Sequence, residues 1–520
     1  MSAQALSAPA VEVKHRGLIT VAIMAAMIMQ ILDMTIANVA LPHMQTSLGA
    51  SQDTITWVLT SYIVAAAIAT PITGWLSDNF GRKRLFMACI VGFVFSSALC
   101  GTAFGLEEMV VFRVMQGAFG AALAPLSQAV LMDINPRERQ GQAMAMWGAG
   151  IMIAPIVGPT IGAWLTDHLN WRWVFYINVP VGILAFLGIL LFMPETVKRI
   201  RRFDFFGFAM LSLAVGSLQF MLDRGQQLDW FSSTEVWIEA GLAIAAAWVF
   251  VVHTVTAPEP FIEPVLFRDR NFAASLAFIF IIGIILLATM ALLPPMLQNL
   301  FGYPVVTVGL VLAPRGIGTM ISMLVVGRLV RLVDPRLLVF AGLMLAATSL
   351  WMMTGFSLDM DEWPLITSGV IQGFGLGLVF IPLSTVAFAT LDPRYRTEAT
   401  SLFNLMRNLG SSIGISIVAT ALASNAQIVH ATLVEWMNPF NPNLAAAGID
   451  PQSFVTAGGV QTAAIMNLEI TRQALMVAYV DDFRLMLIIT LCAAPLLLLL
   501  RHKPFQPNAA AGPPAAAMAD

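Results

Sequence analysis

Four ionisable side chains stand inside apolar stretches long enough to cross a membrane: Asp33 in "ILDMTIANVALP", Arg113 in "RVMQGAFGAAL", Arg315 in "APRGIG" and Arg407 in "LMRNLGSSIG". A charged residue in the middle of a hydrocarbon-spanning helix costs about 2.5–3.5 kcal/mol on insertion scales, so it faces a bundle interior or an aqueous cavity. Arginine keeps its proton there and must find an anion or carbonyl partners. An acid that can exchange a proton, beside a fixed cation that alters its proton affinity, is the equipment of proton coupling. Asp33 and Arg113 are therefore the candidate coupling pair. Gln116, one helical turn beyond Arg113, is a candidate polar neighbour. Asp33, Gln116, Arg315 and Arg407 are expected to line a substrate cavity. Each also has a structural reading: Asp33 as a paired structural acid, Arg113 as a tie between helix ends, Gln116 as packing, and Arg315 and Arg407 as side chains snorkelling to an interface.

A second group lies in the short loop "GWLSDNFGRKRLF" (74–86). Gly74 and Gly81 permit close helix approach and a tight turn. Asp78 stands between two helix ends, within reach of guanidinium groups and N-terminal amides. With Arg82 and Lys83 this is a gate-like arrangement, not a phosphate cradle, which needs a strand before it and a helix after it. A third group, Gly150, Pro155, Gly158, Pro159 and Gly162, crowds one span and argues against a straight, rigid helix there. No GxxxxGK[ST] and no HExxH occurs, nor a Ser/His/Asp set with a loop to house it. An enzyme is not indicated, and no cofactor or metal is expected beyond the proton as coupling ion. Cys89, Cys100 and Cys492 lie in apolar runs at spacings that suit neither a metal nor a disulfide framework.

The elements that must position these residues follow from composition. The chain has 520 residues, 58% hydrophobic and only 11% charged, against about 25% charged in an ordinary soluble protein. Lipid is the solvent for most of it. Apolar runs of spanning length occur at 17–40, 55–77, 85–105, 108–132, 141–165, 173–193, 205–222, 235–256, 273–295, 305–327, 337–356, 363–390, 401–424 and 483–500. Their continuity excludes the alternation of a membrane barrel, leaving about 14 transmembrane helices. Most of the 27 Lys and Arg residues fall in every second loop, which places both termini in the cytoplasm by the positive-inside rule. The first run is too long for a cleavable signal and reads as a retained span. Asp223 and Arg224 are expected to pair at the outer end of the seventh span, and Glu239 to be interfacial. The one long loop, 425–482, reads as a helical hairpin on the membrane or against a partner, or as an ordered surface loop. The tail 501–520 is low-complexity.

The motifs resemble those of the major facilitator superfamily. "GWLSDNFGRKRLF" is similar to the signature between its second and third spans, with Asn79 in place of the usual basic residue. "RVMQGAFGAAL" resembles the fourth-span motif of proton-coupled facilitators, and "GAGIMIAPIVGPTIGAWL" the fifth-span antiporter motif, with Ala154 and Ala163 at usual glycine positions. "LDMTIANVALP" is similar to the first-span signature of the 14-span drug:proton antiporters. "WRWVFYINVPVG", "SLQFMLDRGQQLDWFSS" and "NPFNPN" look like EmrB-type multidrug exporters. The resemblance implies an all-α polytopic fold in a 6+2+6 arrangement: a six-helix bundle over 17–193, two inserted helices over 194–256, and a second bundle over 257–500. It implies proton-driven efflux of hydrophobic or amphiphilic compounds across a bacterial inner membrane. It also implies a periplasmic membrane-fusion adaptor and an outer-membrane channel as partners. An exporter of one endogenous metabolite, and a transport-inactive sensor or scaffold that keeps the fold, are the alternatives.

Overall fold

The computed structural model describes residues 13, 15–51, 54–196, 198–330, 332–436 and 459–500; the expected tail and the "NPFNPN" piece lie outside them. All regular structure among the described residues is helical, without strands. Among the described residues, thirteen helices are long and apolar enough to cross a membrane, and a bent pair brings the number to 14.

The first bundle begins with α1 (Arg16–Leu48), ended by Gly49 in the left-handed region. The second span is broken into α2 (Trp57–Ala69) and α3 (Thr73–Phe80), which meet at 58°. Next come α4 (Arg82–Thr102), α5 (Leu106–Gly120), α6 (Leu123–Ile134), α7 (Arg137–Ile151), α8 (Ile153–His168), the single turn α9 (Trp173–Tyr176) and α10 (Asn178–Phe192). The fourth span is thus α5 with α6, and the fifth is α7 with α8, interrupted at Met152 between Gly150 and Pro155.

Two inserted helices follow, α11 (Phe205–Arg224) and α12 (Thr234–Thr256), packed on each other, with α11 resting on α2 and on the second bundle. Asp204 caps α11 by accepting from Gly207 N at 2.9 Å, receives Phe261 N at 2.9 Å, and contacts His253 at the end of α12. That one carboxylate ties both inserted helices to the chain that follows. Trp237, Leu242, Ile244, Trp248, Val251 and Val255 on α12 are exposed, as suits a helix whose outer face meets lipid. Asp223 and Arg224 do not pair as expected. Neighbours in a helix point in different directions; Asp223 accepts from Thr60 on α2, and Arg224 bridges to Glu235 on α12.

The second bundle comprises α13 (Val265–Arg268), α14 (Arg270–Phe301), α15 (Val305–Leu329), α16 (Pro335–Met353), α17 (Trp363–Ala389), α18 (Arg396–Trp436) and α19 (Gly459–Ala493). Both flanks of the long loop are helical and continuous with the last two spans. His430 on α18 meets Asn467 on α19 at 3.0 Å, beyond the apolar runs. The two bundles meet along α15 against α7 and α8, and at the end bearing the basic loops along α18 against α3 and α6.

Candidate functional site

Asp33 lies at mid-helix in α1 with no exposed surface. Its Oδ2 accepts from Arg113 Nη1 at 2.7 Å. Its Oδ1 accepts from Gln116 Nε2 at 2.8 Å and from Asn178 Nδ2 at 2.7 Å. Arg113 and Gln116 are three residues apart, so α5 presents both on one face. The same arginine nitrogen donates to Gln116 Oε1 at 2.8 Å, while Nε reaches the Val58 carbonyl of α2 at 2.9 Å. Gly117 makes that reach possible, because a Cβ there would collide with the Tyr62 carbonyl. The Tyr62 ring stands 4.4 Å from the guanidinium carbon, and the Phe175 ring 5.8 Å. Asn178, first residue of α10, also donates to Ser97 Oγ of α4 at 2.9 Å, and Ser97 donates to the Phe175 carbonyl.

The result is a dry ion pair whose carboxylate receives three hydrogen bonds from three donors on two helices. Pairs of this kind add little net stability when intact. Removing one partner costs about 3–5 kcal/mol, since a charge is left uncompensated. Protonating Asp33 is the chemical equivalent of removing a partner: it cancels the acid's charge and leaves Arg113 with a carbonyl, an amide oxygen and an aromatic face. Asp33 thus ties α1 to α5 and α10 through a single carboxylate. Asp33, Arg113 and Gln116 are all fully buried in this conformation, so Asp33 and Gln116 present no wall to a cavity. That differs from the expectation for these two residues, and the reason is the close packing of five elements around the acid.

Arg315 and Arg407 stand in the other bundle. Arg315 on α15 is 6% exposed and donates to Thr289 Oγ1 of α14 at 3.4 Å, where Gln372 of α17 also donates at 3.3 Å. Arg407 on α18 lies at a crossing with α14, where its carbonyl would obstruct any Cβ at Gly283.

The gate residues gather at the basic-loop end. Gly81 has φ +84°, a conformation that favours glycine, and turns α3 into α4. Gly74 faces the Glu398 backbone of the other bundle; a Cβ there would come within 3.1 Å of Glu398 Cα. Arg82 pairs with Asp133 of α6, and its Nε donates to Thr397 Oγ1 at 2.8 Å. Asp133 is also paired with Arg396 of α18 at 2.8 Å. Asp78 lies 3.6 Å from Arg201. Lys83 donates to the Leu190 carbonyl at 2.9 Å in an exposed position. Deeper in, Asn404 donates to Gln128 Oε1 at 2.9 Å and Thr400 to the Pro125 carbonyl at 3.1 Å. Polar links between the bundles thus close this end.

In the fifth span, Gly158 and Gly162 lie against Thr35 and Ile36 of α1, within one turn of Asp33, and Gly150 against Met24. Pro159 approaches Gly309 of α15, where a Cβ would find Pro159 Cβ at 3.8 Å. Pro155 falls in the first turn of α8, where its missing N–H costs little. The fifth span therefore touches both the acid-bearing helix and the opposite bundle.

Sequence reasoning passed over Asn178, Ser97 and Tyr62, and at the gate Asp133, Arg201, Glu263, Arg396 and Glu398. Asn178 had a visible signal, an amide inside the apolar stretch "FYINVPVGILAF". Asp133 and Glu398 were masked by nearby arginines that read as ordinary topology markers.

The Major Facilitator Superfamily profile matches residues 23–415. The chain is 39% identical over 436 residues to the multidrug export protein EmrB of Escherichia coli (strain K12), covering 82% of this chain and 84% of that one. It is 35% identical over 474 residues to the fatty acid resistance protein FarB of Neisseria gonorrhoeae, covering 89% and 92%. Its fold superposes on the proton:xylose symporter XylE with a TM-score of 0.59 at 12% identity, over 94% of this chain and 99% of that one. On these matches the chain belongs to the major facilitator superfamily, among the EmrB-type multidrug exporters, and is a multi-pass secondary transporter rather than an enzyme.

Proposed function

We propose that this protein exports hydrophobic or amphiphilic compounds from the cytoplasm across a bacterial inner membrane, driven by inward proton flow through Asp33. The observation that carries the reading is the sealed Asp33–Arg113 pair, in which one acid links α1 to α5 and α10. With the basic loops taken as cytoplasmic, the conformation is closed towards the cytoplasm. A proton arriving from the periplasm neutralises Asp33 and loosens its hold on Arg113, Gln116 and Asn178. Substrate leaves outward, the bundles rock, and the proton is released inside as new substrate binds. Both termini are cytoplasmic on this reading. The helical flanks of the loop between α18 and α19 project on the periplasmic side, where a membrane-fusion adaptor leading to an outer-membrane channel would dock.

The test is Asp33→Asn in proteoliposomes with an imposed pH gradient and a panel of amphiphilic compounds. The wild type dissipates the gradient when substrate is added; the variant, inserted normally, does neither that nor uphill transport. Uphill transport with proton movement by Asp33→Asn would refute the assignment.

A further inference from the structure

The segment between the sixth and seventh spans carries Arg201, a cation in contact with both bundles. Arg201 belongs to neither bundle's helices. Its backbone is bound to the first bundle: Trp75 Nε1 donates to the Arg201 carbonyl at 3.1 Å, and Arg201 N donates to Asn79 Oδ1 at 3.3 Å. Two residues earlier, Arg199 N donates to the Asp78 carbonyl at 2.7 Å. The segment is therefore pinned along the end of α3. The Arg201 side chain points the other way. Nη1 lies 3.1 Å from Glu398 Oε2 of α18 and 3.6 Å from Asp78 Oδ2, and Nη2 lies 3.1 Å from Glu263 Oε1. Glu398 also accepts from Glu263 N at 2.6 Å, which joins the start of the second bundle to α18 at the same point.

Three carboxylates from three parts of the chain converge on one guanidinium that is only 15% exposed. Burial alone would lower the Arg201 value; Glu398, Glu263 and Asp78 together raise it above the ordinary arginine range. Without the cation, three acids would face one another in a half-dry crevice, and like charges so placed repel. Arginine's planar fork can serve two carboxylates at once, which a point-charge ammonium does less well. Because the anchors of Arg201 are on α3 and its strongest partners are on the second bundle, parting the bundles at this end must break the Glu398 and Glu263 contacts. We propose that Arg201, presented by Asn79 and Trp75, is a gating residue that holds the basic-loop end of the two bundles shut and is released from Glu398 and Glu263 each time that end opens.

The inference deepens the transport reading, and its test needs neither substrate nor proton gradient, so the two can fail separately. Spin labels at the exposed positions Arg139, in the first turn of α7, and Arg394, in the turn just ahead of α18, report the width of this end by pulsed dipolar spectroscopy in nanodiscs. The substrate-free protein with native Arg201 gives a predominantly short distance. Arg201→Gln shifts the ratio of open to closed conformers towards open by about tenfold, the scale of losing one charge-assisted hydrogen bond. Arg201→Lys, which keeps the charge and the backbone anchors, gives an intermediate shift and guards against a misfolded glutamine variant. Distance distributions for Arg201→Gln or Arg201→Lys that coincide with the native one overturn the proposal.

Discussion

Asp33 receives three hydrogen bonds, and their donors are not equivalent. Arg113 supplies charge, Gln116 is itself held by Arg113, and Asn178 is the contribution of a third helix. Asn178→Leu leaves Asp33 Oδ1 with one donor in a dry site. Leaving a buried acceptor under-satisfied costs about 1–3 kcal/mol, so thermal unfolding in detergent should show a loss of that order. Ser97→Ala, which removes the acceptor beside Asn178 and the bond to the Phe175 carbonyl but no donor to Asp33, should cost less and leave more transport than Asn178→Leu. The reverse ranking would mean that Asn178 serves packing and not the acid. Asp33 and Arg113 were legible in the sequence because a charge in an apolar run announces itself. Asn178 was not, because an amide there is tolerated for many reasons and only the fold brings its Nδ2 within 2.7 Å of Asp33.

The fifth span shows the same division between elements. Its glycines and prolines mark a helix that cannot be straight, and the interruption at Met152 falls inside that cluster. What the pattern could not say is which neighbour uses the room, since a missing side chain leaves no chemical trace of its partner. In the fold, Gly158 and Gly162 receive Thr35 and Ile36 of α1, so the span lies directly against the helix that carries Asp33. Overpacking such a contact costs about 1–3 kcal/mol. Gly158→Val should lower the melting temperature and impair transport, whereas Gly241→Ala inside α12, where a Cβ meets nothing within 4 Å, should be neutral or stabilising by up to about 1 kcal/mol. Equal effects of the two substitutions in a paired thermal-shift and efflux assay would remove the special status of this contact. The long loop taught a related lesson. Read as a helical hairpin or an ordered surface loop, it has helical flanks that are extensions of α18 and α19; periodicity cannot locate a helix end without a cap.

At the scale of the whole molecule, the question is whether the closed basic-loop end is a resting contact or a step in a cycle. The bundles are joined there by Arg396 to Asp133, Arg82 to Thr397, Thr400 to the Pro125 carbonyl and Asn404 to Gln128. Side-chain links of this kind can be broken and remade, unlike an interface of interlocked apolar side chains, and that suits a surface that must part. Alternating access requires them to open once per turnover. Gln128 and Asn404 are fully buried and their side-chain tips touch at 2.9 Å, so cysteines at these two positions, in a background without Cys89, Cys100 and Cys492, can be joined by a short reducible bifunctional linker that spans the two removed amides. Joining them should stop efflux altogether while leaving the protein folded and the outer side accessible to impermeant thiol reagents. A reducible link makes the experiment decisive, because reduction should restore transport to the level of the unlinked double variant. Each single-cysteine variant treated identically should be unaffected. If the linked protein pumped at an undiminished rate, these two helices would not separate during transport. Passage would then have to follow another route through the molecule, with the gate at Asp78, Arg82 and Arg201 reduced to a fixed seam.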